Sequence, residues 1–162
     1  MIIEDLASDQ RVAACTCTAA EIFDGPTFPE LSAGYARECG NPLLGSVAPS
    51  RDYYEALEST GFAQCFGAYL GSRMCGFGVT LAAVLPHYGR ASATVESLFV
   101  LREARAQGLG RLLMTAIENH CRRIGCAAVL YSAPVGSRFA QQLFLDSEHY
   151  TNTNHIFCRK LR

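Results

Sequence analysis

A glycine-containing turn between an apolar strand and an amphipathic helix limits the fold of this chain more than any other feature. Residues 91–100, ASATVESLFV, have the composition of a strand, and residues 105–110, RAQGLG, follow almost at once. Residues 108–124 then show apolar positions at helical spacing, namely Leu109, Leu112, Leu113, Ala116 and Ile117. The order strand, turn and helix is typical of α/β domains.

The turn has the chemistry of an anion-binding site. Gly108 and Gly110 lack a Cβ atom, so a ligand can approach their backbone amides closely. The first amides of a helix have no intrahelical acceptor, and the helix dipole favours an anion there. Arg105 and Arg111 add positive charge. We therefore predict that residues 105–111 bind phosphate groups.

Two other glycine motifs do not match this turn. A Walker loop requires G-x-x-x-x-G-K-[ST], and residues 105–111 contain no lysine. A dinucleotide-binding fingerprint requires G-x-G-x-x-G, but here G-L-G is followed by R-L-L-M without the third glycine. A phosphate- or nucleotide-binding module of another kind stays open as an alternative.

The other segments predict a mixed α/β fold in a single domain, residues 1–162. We expect residues 1–61 to be a mainly helical segment after a short strand at 1–6, with helices at 8–23, 30–39 and from Ser50 to Gly61. The core, residues 62–162, is expected to hold an antiparallel meander, the helix at 108–124, a parallel strand, another helix and a C-terminal hairpin. These elements are predicted at residues 62–70, 73–85, 91–100, 108–124, 126–132, 136–146 and around 151–154.

Composition and charge exclude several classes of protein. Apolar residues make up 49% of the chain, yet no apolar run is long enough to span a membrane, and no secretory signal opens the sequence. We therefore expect a cytoplasmic protein. The net charge of −1 argues against a dedicated nucleic-acid-binding protein. Residues 1–60 hold ten acids and three bases, whereas residues 61–162 hold five acids and eleven bases. The acidic half suits a cationic ligand and the basic half an anionic one.

The eight cysteines predict neither a disulfide framework nor a metal site. They form no C-x-x-C pair and no cluster with zinc-ligand spacing. Most lie among apolar neighbours, where a reduced thiol packs as a small apolar group. We expect reduced cysteines and no metal cofactor.

Three motifs together resemble the GNAT acetyltransferase superfamily. Residues 105–110, RAQGLG, resemble its R/Q-x-x-G-x-G/A signature, and residues 95–100, VESLFV, resemble its central strand. Residues 140–144, AQQLF, resemble its A-x-x-L-Y helix. The resemblance covers residues 62–162 and extends to the first 60 residues only as a pattern of helices.

The resemblance implies acetyl-CoA as co-substrate. In this family the central strand separates from its parallel neighbour, and the pantetheine arm binds to the exposed strand amides in the resulting slot. The resemblance places these amides at Leu98, Phe99 and Val100, with Ser137 as a further contact, and it places the pyrophosphate on residues 105–111. The corresponding residues are Arg105, Ala106, Gln107, Gly108, Leu109, Gly110 and Arg111.

The expected reaction is attack of a primary amine on the thioester. An alkyl amine has a pKa of about 10.4 and must lose a proton, and Glu96 is the only acid within residues 59–102. Strand alternation places Glu96 on the same face as Leu98 and Val100, and the amide of Leu98 or Phe99 is expected to stabilise the oxyanion. A structural Glu96 paired with an arginine is the alternative.

One departure from the family affects the general acid. The tyrosine of A-x-x-L-Y is replaced by Phe144, which we expect to pack and which cannot protonate the leaving thiolate. Tyr150, Tyr131 or water can take this role, and we predict Tyr150. The departure favours a second hypothesis, a GNAT-like domain that binds acyl-CoA as a sensor or scaffold without turnover.

The acceptor is expected to be a small cationic amine, bound between the early helices and the C-terminal hairpin. Its lining residues are predicted among Asp24, Glu30, Tyr35, Glu38 and Tyr53. No nucleic-acid or membrane partner is expected, and a homodimer is common in the family.

Overall fold

A computed structural model describes the backbone of residues 3–5 and the whole of residues 11–161. In these ranges six strands form one sheet in sequence order, β1-β2-β3-β4-β5-β6. Neighbouring strands from β1 to β5 are antiparallel, and β5 and β6 are parallel. The strands are β1 (Ile3–Asp5), β2 (Val12–Cys17), β3 (Ala63–Leu70), β4 (Arg73–Leu85), β5 (Arg90–Val100) and β6 (Ala128–Tyr131).

Five α-helices accompany the sheet in the described part of the chain. They are α1 (Ala19–Phe23), α2 (Phe28–Cys39), α3 (Arg51–Ser59), α4 (Leu109–Arg123) and α5 (Arg138–Leu145). A short 3-10 helix, Arg102–Gln107, leads from β5 into α4. The mixed α/β fold, with one parallel strand pair joined through a helix, is therefore confirmed.

The two faces of the sheet carry different helices. On one face α4 covers β2 to β5, with Leu109, Leu113 and Ile117 fully buried. The side chain of Phe66 on β3 meets His120 of α4 there. On the other face, Tyr35 of α2 contacts Phe77 of β4. Because side chains alternate along a strand, one sheet supports both layers.

The predicted helix at 8–23 is wrong. Residues 8–10 lie outside the described residues, and residues 12–17 form β2, which pairs with β3 from Val12↔Leu70 to Cys17↔Cys65. Only α1 is helical, and Thr18 begins it with a capping box in which Glu21 reaches back to the Thr18 amide. The segment 1–61 is therefore not mainly helical before Ala19, because its β2 strand belongs to the central sheet.

The predicted C-terminal hairpin is also wrong. Residues 151–161 contain no strand and are exposed. The acceptor site therefore cannot be built against that hairpin in this structure. The other predicted elements of residues 62–146 are present with small changes at their ends.

All eight cysteines are free thiols. Across residues 3–5 and 11–161, no helix has the length and apolar character needed to cross a membrane. In the same described ranges, no group of three or more His, Cys, Asp or Glu side chains is arranged to hold a metal ion.

Candidate active site

Strands β5 and β6 separate halfway along β5. Their parallel pairing runs only from Ser92↔Ala128 to Val95↔Tyr131. Beyond this point β5 continues to Val100, whereas β6 ends at Tyr131. Residues 96–100 therefore have no partner in β6, and the two strands leave a slot between them.

The backbone groups that face the slot are those of Leu98 and Val100. The Leu101 amide donates to the Cys75 carbonyl of β4 at 2.8 Å. Because backbone groups alternate along an antiparallel pair, the amide of Phe99, opposite Phe77, also faces β4. The prediction that Phe99 offers its amide to the slot is therefore wrong.

Arg105 closes the end of this slot. Its Nε donates to the Val100 carbonyl at 2.9 Å, and its Nη2 lies 2.7 Å from the Glu38 carboxylate of α2. The guanidinium carbon also lies 5.5 Å from the centre of the Phe99 ring. The Arg105 guanidinium, which we predicted to bind phosphate, is paired here with the Glu38 carboxylate.

The turn after Arg105 presents free amides and an open surface. Gly108 has φ +77° and is the N-cap of α4, without a side-chain cap. In the described chain, the first three amides of α4, at residues 109–111, donate no hydrogen bond to a backbone carbonyl outside the helix. A Cβ atom built on Gly108 or Gly110 would meet no protein atom within 4 Å.

These features fit the diphosphate of coenzyme A. Unpaired amides at a helix N-terminus bind anions, and the space above both glycines is free. Leu109 is fully buried and exposes neither its side chain nor its amide to a ligand, whereas Gly110 is partly exposed. Ala106, Gln107 and Arg111 are exposed beside the turn.

Glu96 occupies a β-bulge at the point where the slot opens. Val79 pairs with Ser97 and Thr80 pairs with Val95, so Glu96 is the extra residue of β5. Its Oε2 accepts a hydrogen bond of 3.1 Å from the Tyr54 hydroxyl of α3. Glu96 is exposed, and within the described residues its carboxylate has no ion-pair partner, which excludes the predicted arginine-paired alternative there.

The bulge turns Glu96 away from the face that strand alternation predicts. Leu98 lies on the α4 face, since a Cβ on Gly78 would meet both Leu98 and Ile117 of α4. Glu96 instead faces α2 and α3, on the side where the Phe99 ring contacts Tyr35. The prediction that Glu96 shares a face with Leu98 and Val100 is therefore wrong, because the extra residue breaks the period of two.

Two tyrosines adjoin the Glu96 carboxylate. Burial and the negative charge of Glu96 raise the pKa of Tyr35 to about 12. Burial, the Glu96 charge and the hydrogen bond to it also raise the pKa of Tyr54. Both hydroxyls therefore stay protonated at neutral pH, and Tyr54 remains a hydrogen-bond donor to the carboxylate.

Tyr150 and Tyr131 share a different carboxylate. Glu118 Oε1 accepts from the Tyr150 hydroxyl at 2.7 Å and from the Tyr131 hydroxyl at 3.0 Å. Tyr131 is the last paired residue of β6, so this cluster borders the slot. Burial, followed by the hydrogen bond to Glu118, raises the pKa of Tyr150, and its proton is directed to Glu118.

Ser137 and Phe144 have simple structural positions on α5. Ser137 is the N-cap, and its Oγ accepts from the Ala140 amide at 3.1 Å. This bond already explains a serine at that position. The Phe144 side chain is 64% exposed, so the expectation that it packs is wrong.

All three predicted acceptor-side acids form ion pairs with arginines. Asp24 pairs with Arg51, Glu30 with Arg73 and Glu38 with Arg105. Of the predicted tyrosines, Tyr35 lies near Glu96 and Tyr53 is 76% exposed.

Sequence reasoning missed Tyr54 and Glu118. Tyr54 and Leu57 stand three residues apart in α3 and both pack against the core, so helical spacing could have indicated Tyr54. Glu118 carried no such signal, because its partners Tyr131 and Tyr150 are distant in sequence.

Solved structures of known proteins share this fold. A ribosomal-protein-alanine N-acetyltransferase from Brucella melitensis biovar Abortus 2308 is 18% identical, with a TM-score of 0.67 over 91% of this chain and 98% of that one. The aminoglycoside acetyltransferase meta-AAC0020 from an uncultured soil metagenomic sample, in complex with sisomicin, is 18% identical, with a TM-score of 0.70 over 93% and 97%. Glucosamine-6-phosphate N-acetyltransferase from Arabidopsis thaliana is 14% identical, with a TM-score of 0.68 over 93% and 99%.

At these identities the likeness establishes the fold alone. A search of curated proteins finds no match. The model of the acetyltransferase (GNAT) family matches residues 33–145, which is more than half of the sequence and includes the slot, the turn and α4. The chain therefore belongs to the acetyltransferase (GNAT) family, whose members are acyl-CoA-dependent N-acetyltransferases.

Proposed function

We propose that this protein transfers an acetyl group from acetyl-CoA to the primary amine of a small cationic molecule, by direct attack of the amine on the thioester. The observation that carries the proposal is the exposed carboxylate of Glu96 on the β5 bulge, where β5 leaves β6. Acetyl-CoA supplies an activated acyl group with a thiolate leaving group. The protein must bind this co-substrate, deprotonate the amine and stabilise the developing oxyanion.

We assign co-substrate binding to the slot and the turn. The backbone groups of Leu98 and Val100 face the slot and can pair with the amides of an extended arm, as an added strand does. The amides of Gly110 and Arg111, in the first turn of α4, are assigned to the diphosphate. In this assignment α1–α3 form the acceptor side, and residues 62–162 provide the co-substrate core.

Glu96 is assigned as the general base. An alkyl ammonium has a pKa of about 10.4, so the base must take a proton, directly or through a water molecule, before the amine attacks. Tyr54 fixes the carboxylate through its hydroxyl. The Leu98 amide, which faces the slot two residues further along β5, is the donor assigned to the oxyanion.

Tyr150 is assigned as the proton donor to the leaving thiolate. Glu118 holds its hydroxyl beside Tyr131, at the edge of the slot. To act as an acid, the Tyr150 hydroxyl must turn from Glu118 towards the sulfur. A thiol has a pKa of about 8.5, so the departing thiolate needs this proton less than an alkoxide would.

Thiol release from acetyl-CoA in the presence of single amines tests the proposal. We expect turnover with at least one amine, and a loss of kcat/KM of about 10²-fold or more in Glu96→Gln at neutral pH. Asp52→Asn, an exposed change on α3, is the control and should retain activity. An unchanged kcat/KM in Glu96→Gln would show that Glu96 is not the base.

A second candidate function is an acyl-CoA sensor or scaffold without turnover. It is favoured by the absence of a hydroxyl at Phe144 and by the bond that directs the Tyr150 proton to Glu118. It predicts that the protein binds CoA and releases no thiol with any amine. A cytoplasmic location and a homodimer stay predictions for either function.

A further inference from the structure

Helix α4 ends in a Schellman motif that has a cysteine at each end. The Cys126 amide donates to the Cys121 carbonyl at 2.9 Å, and the Gly125 amide donates to the Arg122 carbonyl at 3.1 Å. Gly125 has φ +82° and reverses the direction of the chain. In this motif the two residues joined by the longer hydrogen-bonded ring commonly place their side chains in contact. Here these two residues are Cys121 and Cys126.

The two thiols differ in their access to solvent. Cys121 is 1% exposed, whereas Cys126 is only partly buried and packs against the core. Burial, followed by the charge of Cys126 and a hydrogen bond with its thiol, raises the pKa of Cys121 to about 11. A reagent in solution can therefore reach Cys126 first, and Cys121 lies beside it as a protonated thiol.

The surface of this turn carries positive charge. Arg122 donates to the Asn119 side-chain oxygen at 2.7 Å, and Arg123 Nη2 lies 2.9 Å from His120 Nδ1. Among the described residues, neither arginine forms an ion pair with a carboxylate. Unneutralised arginines attract an anionic reagent and raise its local concentration.

We propose that Cys121 and Cys126 are a redox-active pair, which an anionic low-molecular-weight disulfide such as oxidised glutathione converts to an intramolecular disulfide. The Cys126 thiolate attacks one sulfur of the reagent, whose S–S bond breaks and releases the first thiol. The Cys121 sulfur then attacks the Cys126 sulfur of this mixed disulfide, and the Cys121 proton passes to the second thiol that leaves. Two protein thiols are oxidised, and one reagent disulfide is reduced to two thiols.

Another cysteine pair shows why exposure matters. Cys17 and Cys65 lie directly opposite each other in β2 and β3, but they are only 8% and 1% exposed. Burial raises the pKa of both thiols. Neither sulfur is open to a reagent, so we expect this pair to stay reduced while the protein is folded.

Peptide mapping after incubation of the reduced protein with oxidised glutathione tests the proposal. Trypsin cleaves after Arg122 and Arg123, so a Cys121–Cys126 disulfide joins peptides 112–122 and 124–138, which separate on reduction. We expect these joined peptides in most of the protein when the exposed Cys158 carries glutathione. Their absence while Cys158 is fully modified would overturn the proposal. The reaction occurs at the opposite end of α4 from the glycine turn and requires no amine, so its outcome is independent of the proposed function.

Single variants separate the roles of the two thiols. Cys121→Ser should leave glutathione bound to Cys126, because no second thiol displaces it. Cys126→Ser should lower the rate of modification at Cys121 about tenfold or more, because Cys121 is buried. Cys39→Ser, at another partly buried cysteine, is the control and should give the joined peptides at the parent rate.

Glutathione that stays on Cys126 in the parent protein would show that the two sulfurs do not meet, and would overturn the proposal. This measurement needs no substitution, so it decides the question even where a variant does not fold.

The salt dependence of the rate tests the preference for an anionic reagent. Added salt should slow the formation of the joined peptides by oxidised glutathione and accelerate their formation by cystamine, a dicationic disulfide. The sign of the salt effect does not depend on the intrinsic reactivity of the two reagents. A rate that is independent of salt for both reagents contradicts the role of Arg122 and Arg123.

Discussion

The Arg105 guanidinium lies 2.7 Å from the Glu38 carboxylate and joins the end of β5 to α2. Its Nε donates at the same time to the Val100 carbonyl, which faces the slot. One side chain thus contacts both α2 and the slot between β5 and β6. A diphosphate at the start of α4 would compete with Glu38 for this cation.

We predict that Glu38→Gln tightens the binding of CoA. The variant removes a negative charge near the diphosphate site and frees Arg105. The pair is partly exposed, and such pairs contribute up to about 1 kcal/mol, so we expect Kd to fall roughly two- to fivefold. Calorimetry at low and high salt measures this, and salt should reduce the gain.

The control for this prediction is Glu30→Gln, which breaks the similar pair with Arg73. It should leave the Kd for CoA unchanged. Weaker CoA binding in Glu38→Gln would instead show that Arg105 acts only by holding the strand end.

We predict that Gly110→Leu weakens CoA binding at least tenfold without destabilising the fold. A Cβ at Gly110 would meet no protein atom within 4 Å, and a leucine side chain there would crowd the turn to which we assign the diphosphate. A glycine within a helix lowers stability by about 0.5–1 kcal/mol because of its conformational freedom in the unfolded chain. Replacing it should therefore leave the Tm unchanged or slightly higher. Thermal unfolding and CoA titration check the two effects.

Gly108→Ala gives the contrasting result. Because Gly108 has φ +77°, a residue with a Cβ atom there costs about 1–2 kcal/mol. We expect a lower Tm in this variant. Full CoA affinity in Gly110→Leu would contradict the assignment of the turn.

We predict that Tyr150→Phe lowers kcat at least tenfold and leaves the Kd for CoA unchanged. The change removes the assigned proton donor, and typical acid–base contributions are about 10²–10⁴-fold. We expect a loss of kcat at or below the low end of this range, because a thiolate leaves readily. Steady-state kinetics and CoA titration separate the two parameters.

Tyr131→Phe is the matched comparison, because Tyr131 donates to the same oxygen of Glu118. It should affect stability more than kcat. A kcat in Tyr150→Phe equal to that of the parent would exclude Tyr150 as the acid and leave water in that role.

We predict that stability falls as the pH rises above about 10. Burial, together with the Glu118 carboxylate, raises the pKa of Tyr131 and Tyr150 in the folded protein. Unfolded tyrosines ionise near 10, so the unfolded state loses protons first and the free energy of unfolding declines. The stabilisation is fully present below pH 10 and is lost as the pH rises towards the folded pKa values.

Urea unfolding between pH 8 and 11, in the presence of a reductant, measures this decline. Tyr131→Phe should show a shallower decline than the parent, and Tyr88→Phe, at an exposed position, should match the parent. The same slope in all three proteins would contradict the assignment to the buried tyrosines.

Local patterns predicted β3, β4, β5, α4 and the turn because each depends on neighbours in sequence. Leu109, Leu113 and Ile117 carry the helical period of α4, and Gly108 takes the positive φ that a residue without Cβ allows. The prediction for Val12–Cys17 was wrong because its small residues fit either a helical or a strand period. Its strand state comes from pairing with β3, about fifty residues away in sequence.

The candidate site shows the same contrast between features set by neighbours in sequence and features set by distant segments. The glycine turn with its uncapped helix start could be predicted, since its glycines and the following helix are contiguous. The position of Glu96 could not, because a bulge is a mismatch between two strands and leaves no period in either sequence. The Glu38–Arg105 and Glu118–Tyr150 contacts likewise join residues far apart in the chain.

The sequence by itself determined the order of strand, turn and helix, the glycine turn before α4 and the family. Only the tertiary structure decided which amides face the slot, which side of the sheet Glu96 faces and which acids arginines neutralise. The physical reason is that helical period and glycine φ act within a few residues. Strand register, bulges and ion pairs arise where distant segments meet.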